Sequence, residues 1–341
     1  MSQPLSIDRQ SLEKLREMLT GYRISQLIVV AAKLNVADKL IKGPLTIDEL
    51  AASTCSHAPS LYRVLRTLAS IGIFREISDR RFELTPLAEG LRTDVRGSVH
   101  GTAVCYSEGW WWDSWGRLYD TVKTGETAFD RLHGMGLFDY LQGHPDAENV
   151  FAGHMASVTD LIARAVVDTY DFSEAASVCD VGGGNGVLLR EILRKHAHLQ
   201  GVLFDQVAVV AGGKEKMAEA AVLDRCQFVG GDFFDSVPAG ADIYLLKNVI
   251  HDWDDVRAAR ILRNCRRAMP RHAKLLVIDF VIPPANQPSL GKIWDMTMMV
   301  IVKGIERTEE EHRRLLQAGG FKLGRLVDLP IEIDMIEALP V

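Results

Sequence analysis

Three glycines at alternate positions, Gly182, Gly184 and Gly186, and two aspartates beyond them, Asp205 and Asp232, have the types and spacing to hold a ligand. Glycine accepts positive φ and lets a ligand come closer than any Cβ would allow. The acids suit the hydroxyls of a ribose and the exocyclic amine of an adenine lying against Phe233. A single adenosine fits this set better than a dinucleotide, because the third glycine of the dinucleotide fingerprint falls on Val187. Taken singly, each acid could equally be a helix cap or a turn residue, and the glycine turn could serve the fold alone.

The elements that must position these residues are those of a doubly wound α/β domain. Residues 177–181 form a short apolar run, the glycines follow, and 187–193 repeat at helical period, which predicts strand, tight turn and helix. Further strands are expected at 201–205, 226–232, 242–249 and 274–280. In an open parallel sheet the ligand crevice lies outside the carboxyl ends of the strands. Asp180, Asp205 and Asp232 therefore belong on one rim, joined by His251 just past the fourth strand, where an imidazole could accept a proton.

Ahead of this domain, helical periodicity runs from Leu12 to Leu40, with Leu12, Leu15, Leu19, Ile24 and Leu27 on apolar stripes. Thr46 with Glu49 predicts a capping box, a further helix carries Leu61, Leu65 and Leu68, and 73–77 and 81–84 alternate as a two-stranded wing. That outline is a winged helix. Its arginines between 44 and 96 are matched one for one by acids, which disfavours DNA binding and points to a dimerisation module. The tryptophans at 110, 111, 112 and 115 read as core or interface anchors, or, with Met155, as walls of an aromatic pocket.

The length suggests two domains, divided as 1–105 and 106–341 with the α/β core from about 172. A formal charge of −6 argues against a nucleic-acid surface. The five cysteines are scattered without metal-ligand spacing and read as reduced. No run is expected to span a membrane and the start is not a signal peptide, so the expected location is cytoplasmic.

Leu-Lys-Asn-Val-Ile-His-Asp-Trp at 246–253, Val-Ile-Asp-Phe-Val-Ile-Pro at 277–283, and Glu-Arg-Thr-Glu-Glu-Glu at 306–311 with Gly-Gly-Phe at 319–321 carry a resemblance. The chain resembles the class I S-adenosylmethionine-dependent methyltransferases, and within them the small-molecule O-methyltransferase family of caffeate, hydroxyindole and bacterial natural-product enzymes. The resemblance spans nearly the whole chain. It implies a Rossmann-like methyltransferase domain behind an N-terminal winged-helix dimerisation domain, and a homodimer. The implied cofactor is S-adenosylmethionine, leaving as S-adenosylhomocysteine, and the implied acceptor is the hydroxyl, phenolic in the first instance, of a small aromatic compound of secondary metabolism.

Residue by residue, the resemblance sets Gly182, Gly184 and Gly186 under the amino-acid part of the cofactor, Asp205 on its ribose, Asp232 and Phe233 at its adenine, and Lys247 as the adjoining wall. His251 would be the general base, flanked by Asp279 and Glu306. Trp294 and Met298 are expected to line the acceptor pocket along with Met155, and no acid cluster suggests a metal. Two departures stand out: the family commonly has Glu where this chain has Asp279, and its usual Asp-Leu-Pro is here Asp205-Gln206-Val207.

The chemistry asks for these types on its own terms. Methyl transfer from a sulfonium is an in-line displacement, so alignment supplies much of the rate, roughly 7 to 11 kcal/mol in well-aligned cases. A base within reach of a phenol adds about 10² to 10⁴-fold. Nitrogen or carbon acceptors on the same fold stay open. Further rivals are a nicotinamide-dependent oxidoreductase and a winged-helix regulator.

Overall fold

A computed structural model of the chain describes residues 8–341, apart from the side chains at 215 and 216. The start at 1–7, on which the signal-peptide reading rests, lies outside the described residues. Two compact units divide the chain: Met1–Glu108 with Gly153–Ser157, and Gly109–Ala152 with Val158–Val341.

In the first unit α1 (Arg9–Lys33) starts at Asp8, whose carboxylate accepts from the Ser11 N–H. Strand β1 (Leu45–Thr46) leads into α2 (Ile47–Ser53) through the expected capping box of Thr46 and Glu49. Next come α3 (Ala58–Ser70) and the antiparallel wing β2 (Phe74–Ile77) and β3 (Arg81–Leu84), with β1 added to its edge. Leu50, Leu61, Leu65, Leu68, Phe74 and Phe82 form the core. Ala31 joins this core and Leu27 and Ile28 pack against it, but the earlier part of the α1 stripe does not: Leu15, Met18 and Leu19 are 53%, 65% and 68% exposed.

In the second unit two short helices at Gly109–Gly116 and Leu118–Thr124 precede α4 (Ala128–His133) and α5 (Leu137–Gly143). Helix α6 (Pro145–Thr169) follows and passes through both units. With a mean hydropathy of 1.3 it is the one described helix long and apolar enough to cross a membrane by length and composition. Its last turns bury Ile162, Ala163, Val166 and Val167 in the α/β core, as a core helix does.

The sheet contains β4 (Ser177–Val181), β5 (Gln200–Asp205), β6 (Cys226–Gly230), β7 (Ile243–Lys247) and β8 (Lys274–Asp279), all parallel. Helices α7 (Val187–Lys195), α8 (Val207–Glu219), α9 (Asp255–Ala268), α10 (Leu290–Thr297) and α11 (Glu309–Gly319) connect or cover it. The chain ends in an antiparallel pair that the sequence reading did not anticipate, β9 (Phe321–Val327) and β10 (Asp334–Pro340), giving the order β9-β10-β8-β7-β4-β5-β6.

Adjacent strand residues serve opposite faces, as the pleat requires. Val178, Leu245 and Leu276 join one core cluster with Leu188, Leu189 and Ile192 of α7, while Cys179, Leu246 and Val277 join the other with Ile261, Leu262 and Cys265 of α9. Each fully buried Leu or Ile contributes about 1.5 to 3 kcal/mol. Burial on both faces fixes the strands, and their parallel course brings five carboxyl ends to one rim.

Candidate active site

The turn after β4 is built by its neighbours as much as for a ligand. Gly182, Gly184 and Gly186 have φ of 71°, 57° and 74°. A Cβ at Gly182 would lie 2.8 Å from Val249 Cγ2, and one at Gly186 2.6 Å from Met217 Cε, so packing as well as φ demands glycine there. At Gly184 a Cβ would meet no described atom within 4 Å, and the turn opens to a ligand at that point. Gly183, which the spacing did not single out, sits tightest, its Cβ position 2.5 Å from Leu203 Cδ1 and 2.8 Å from Asp180.

Asp205 ties this turn to the end of β5. One carboxylate oxygen accepts from the Gly184 N–H at 2.8 Å and the other from the Gln206 N–H at 2.7 Å. Burial nonetheless raises its pKa against both bonds. Asp180 lies beneath the turn, 1% exposed, and burial pushes it up to about 7 in spite of Lys247. Asp232 is exposed and accepts from the Phe234 N–H at 2.7 Å, the turn role open to such an acid, which fixes its carboxyl group beside Phe233. The Phe233 ring lies 3.7 Å from the Cβ position of Gly182 and edge-on to Trp253, 6.1 Å between centroids. Lys247, at the end of β7, is buried, and burial lowers its pKa against the pull of Asp180, Asp279 and Asp252.

His251 stands on the 3-10 turn Ile250–Asp252 that follows β7, 4% exposed. A carboxylate only accepts, so its Nδ1–H donates to Glu306 Oε1, at 2.6 Å. Asp279 Oδ1 lies 3.7 Å from the same nitrogen, beyond hydrogen-bond reach. On the other side of the ring Asp252 Oδ1 is 3.5 Å from Nε2. Burial disfavours the charged ring, but Glu306, Asp279 and Asp252 outweigh it and raise His251 to about 10. Burial also pushes Asp279 up to about 7 and Asp252 to about 6. Both Asp279 oxygens and Glu306 Oε2 are buried with no hydrogen-bond partner among the described residues.

A distant loop clamps this turn. The Ile305 N–H donates to the His251 carbonyl at 2.8 Å. Arg307, 1% exposed, donates to the carbonyls of Ile250 and Trp253 and to Asp255. The Glu306 N–H donates to Asp295 Oδ1 of α10 at 2.8 Å. Gly304 lies so close that a Cβ would stand 2.1 Å from the His251 carbonyl oxygen.

His251, Asp279 and Glu306 are thus brought together, and Gly184, Asp205 and Phe233 line the same rim. Trp294 is half-buried against Phe280, and Met298 is 5% exposed on the π-helical turn that prolongs α10. Met155 lies in the part of α6 that belongs to the first unit. The sequence reading missed Asp252, Asp295 and Arg307. Asp252 could have been found as the acid adjoining the imidazole; the other two act through backbone contacts that spacing does not announce. Among the described residues no group of three His, Cys, Asp or Glu side chains is arranged to hold a metal.

Comparison with known proteins bears on the whole of this arrangement. Residues 115–322 match the model of the O-methyltransferase domain and residues 16–94 that of the O-methyltransferase dimerisation domain. The phenazine O-methyltransferase of Lysobacter antibioticus is 45% identical over 327 residues, 96% of each chain. The phenazine-1-carboxylate N-methyltransferase of Pseudomonas aeruginosa is 32% identical over 95% of this chain and 96% of that protein. The crystal structure of CalO1, a methyltransferase in calicheamicin biosynthesis bound to S-adenosylhomocysteine, is 36% identical and superposes with a TM-score of 0.86 over 98% of this chain and all (100%) of that one.

Proposed function

The chain belongs to the O-methyltransferase family, as an S-adenosylmethionine-dependent methyltransferase of the natural-product type; from that premise we propose that it methylates a hydroxyl oxygen of a small aromatic metabolite with His251 as general base. The observation that carries this reading is the buried 2.6 Å pair of His251 Nδ1 and Glu306, which engages one ring nitrogen and leaves Nε2, 3.5 Å from Asp252, as the one to take an acceptor's proton.

When bound, S-adenosylmethionine supplies a methyl group already activated by its sulfonium. The chain's residues fit it: Gly184 opens on free space, Asp205 holds its carboxyl group at that opening, the Phe233 ring closes in on the turn, and Asp232 is exposed next to it in the chain. Asp205 would hold the ribose, Asp232 and Phe233 the adenine, the glycine turn the amino-acid part, and Lys247 the adjoining wall. Glu306 fixes the tautomer of His251 and stabilises the imidazolium that forms when Nε2 takes the acceptor's proton. The protonated ring of the free protein loses its proton more readily when a second positive charge joins the same rim. Trp294 and Met298 are the residues we assign to the acceptor pocket.

The test is a His251→Ala variant. Calorimetric affinity for S-adenosylhomocysteine should stay within about twofold of the parent, while turnover of a phenolic panel falls about 10² to 10⁴-fold. Parental turnover would remove His251 from its role. The N-methyltransferase relative favours a second reading, a ring-nitrogen acceptor. A nitrogen lone pair needs no proton removed, so under that reading the variant keeps its turnover on nitrogen acceptors.

We infer a homodimer formed through the first unit. The family's dimerisation domain covers 16–94, and the apolar face of α1 stands uncovered on the single chain.

A further inference from the structure

Helix α5 reaches the rim at two points. Its Leu137 and Leu141, four residues apart, are buried, and Tyr140 packs edge-on against Phe129 of α4. Phe138 and Gln142, also four apart, share the neighbouring face of the helix. The Phe138 ring stacks on Trp253, 6.0 Å between centroids and 27° between planes. The Gln142 amide donates from Nε2 to Gln206 Oε1 at 3.1 Å.

These two anchors flank the adenosyl site. Trp253 packs on Phe233 and Phe234, beyond the end of β6. Gln206 follows Asp205 directly, and its own N–H is held by that carboxylate. Phe138 and Gln142 are about 6 Å apart along the helix, four residues at 1.5 Å each. A helix fixed by one end to the ring beside Phe233 and by the other to the residue after Asp205 crosses the opening between them. The departure at 206 supplies the second anchor, since a leucine there could not accept the Gln142 amide.

We propose that α5 is a strap that retains the cofactor, with Phe138 on Trp253 and Gln142 on Gln206 as the contacts that part when the adenosyl group enters or leaves. The proposal rests on the reading of Asp205 and Phe233 as the adenosyl site. Both contacts join protein to protein, so weakening either one speeds passage in both directions and changes the equilibrium little. In the natural chain, release of the spent cofactor is paced by this strap.

The experiment is stopped-flow tryptophan fluorescence with S-adenosylhomocysteine as probe, alongside calorimetry. In Gln142→Ala the association and dissociation rates should each rise about three- to tenfold, with Kd within about twofold and an unchanged melting temperature, the size expected for one exposed hydrogen bond. Gln142→Glu combined with Gln206→Glu should open the strap further, and Gln142→Lys combined with Gln206→Glu should restore slow exchange. Unchanged rates in Gln142→Ala at parental affinity would overturn the strap alone. A faster release with affinity weakened in proportion would also overturn it, because Gln142 would then be a direct ligand. Failure of the parent protein itself to bind the probe would instead remove the adenosyl site.

Discussion

Asp279 Oδ1 stands 3.7 Å from His251 Nδ1, inside electrostatic range and outside hydrogen-bond range. The two acids behind the imidazole are therefore unequal. Glu306 orients the ring through a bond, whereas Asp279 acts on it only as a charge. Glu306→Gln should lower kcat about 10²-fold, and Asp279→Asn less than about tenfold. Steady-state kinetics on one phenolic acceptor would separate the two.

The same inequality appears in the pH profile. The carboxylates hold His251 up to about 10, above its ordinary 6.5. The base form of the free enzyme is thus populated only as pH rises, and kcat/KM should climb through the alkaline range. Removing the Glu306 charge lets the proton leave earlier. In Glu306→Gln the rising limb should move to lower pH although the plateau is lower; a limb that stays in place or moves up would show that Glu306 does not set this titration.

Stability should fall as these groups lose their protons. Burial raises Asp279 from 3.8 to about 7, so the folded state binds its proton more tightly than the unfolded chain does. Its contribution is complete below about pH 4 and is lost as pH rises through about 7. His251 acts with the same sign in a higher window, with stabilisation present below 6.5 and lost as pH rises through about 10. Asp279→Asn should flatten the decline of Tm between about pH 4 and pH 8, which calorimetric melts at several pH values would measure.

Gly304 and Arg307 are expected to fail in different ways. A methyl group at Gly304 would press on the His251 carbonyl, a backbone atom that cannot yield without moving the base. Gly304→Ala should therefore reduce turnover well beyond any change in cofactor affinity. Arg307→Met leaves buried carbonyls of Ile250 and Trp253 without their donor. It should cost about 3 to 5 kcal/mol of stability, read as a lower urea midpoint.

The uncovered face of α1 gives a test of assembly. Leu15, Met18, Leu19 and Tyr22 recur at helical spacing and are 53% to 68% exposed. Leu19→Glu should shift the mass seen by light scattering from dimer towards monomer; a monomeric parent protein would refute the inferred homodimer.

Much of this architecture was legible in the sequence, because the strands are marked by apolar residues and the rim residues stand at their ends or a few residues beyond. The capping box at Thr46 and the wing at 74–84 were equally plain, being local signals. The last two strands were not, since β9 has three consecutive exposed residues at 324–326 and a register shift at Leu323/Arg325 that blur its alternation. At the site, type and position past the strands singled out His251 and Asp205, and the family resemblance pointed to Glu306. The roles of Gly183, Gly304 and Arg307 are fixed by backbone atoms far away in the chain, and no spacing rule reports such contacts.

The bond from the Glu306 N–H to Asp295 joins the partner of His251 to the helix that carries Trp294 and, on its π-helical extension, Met298. Under the roles proposed above, recognition and proton removal would share one mechanical part. Any attempt to widen the range of accepted compounds by rebuilding residues 290–302 would drag the imidazole's partner with it, so grafts between relatives should exchange 289–308 as a single cassette.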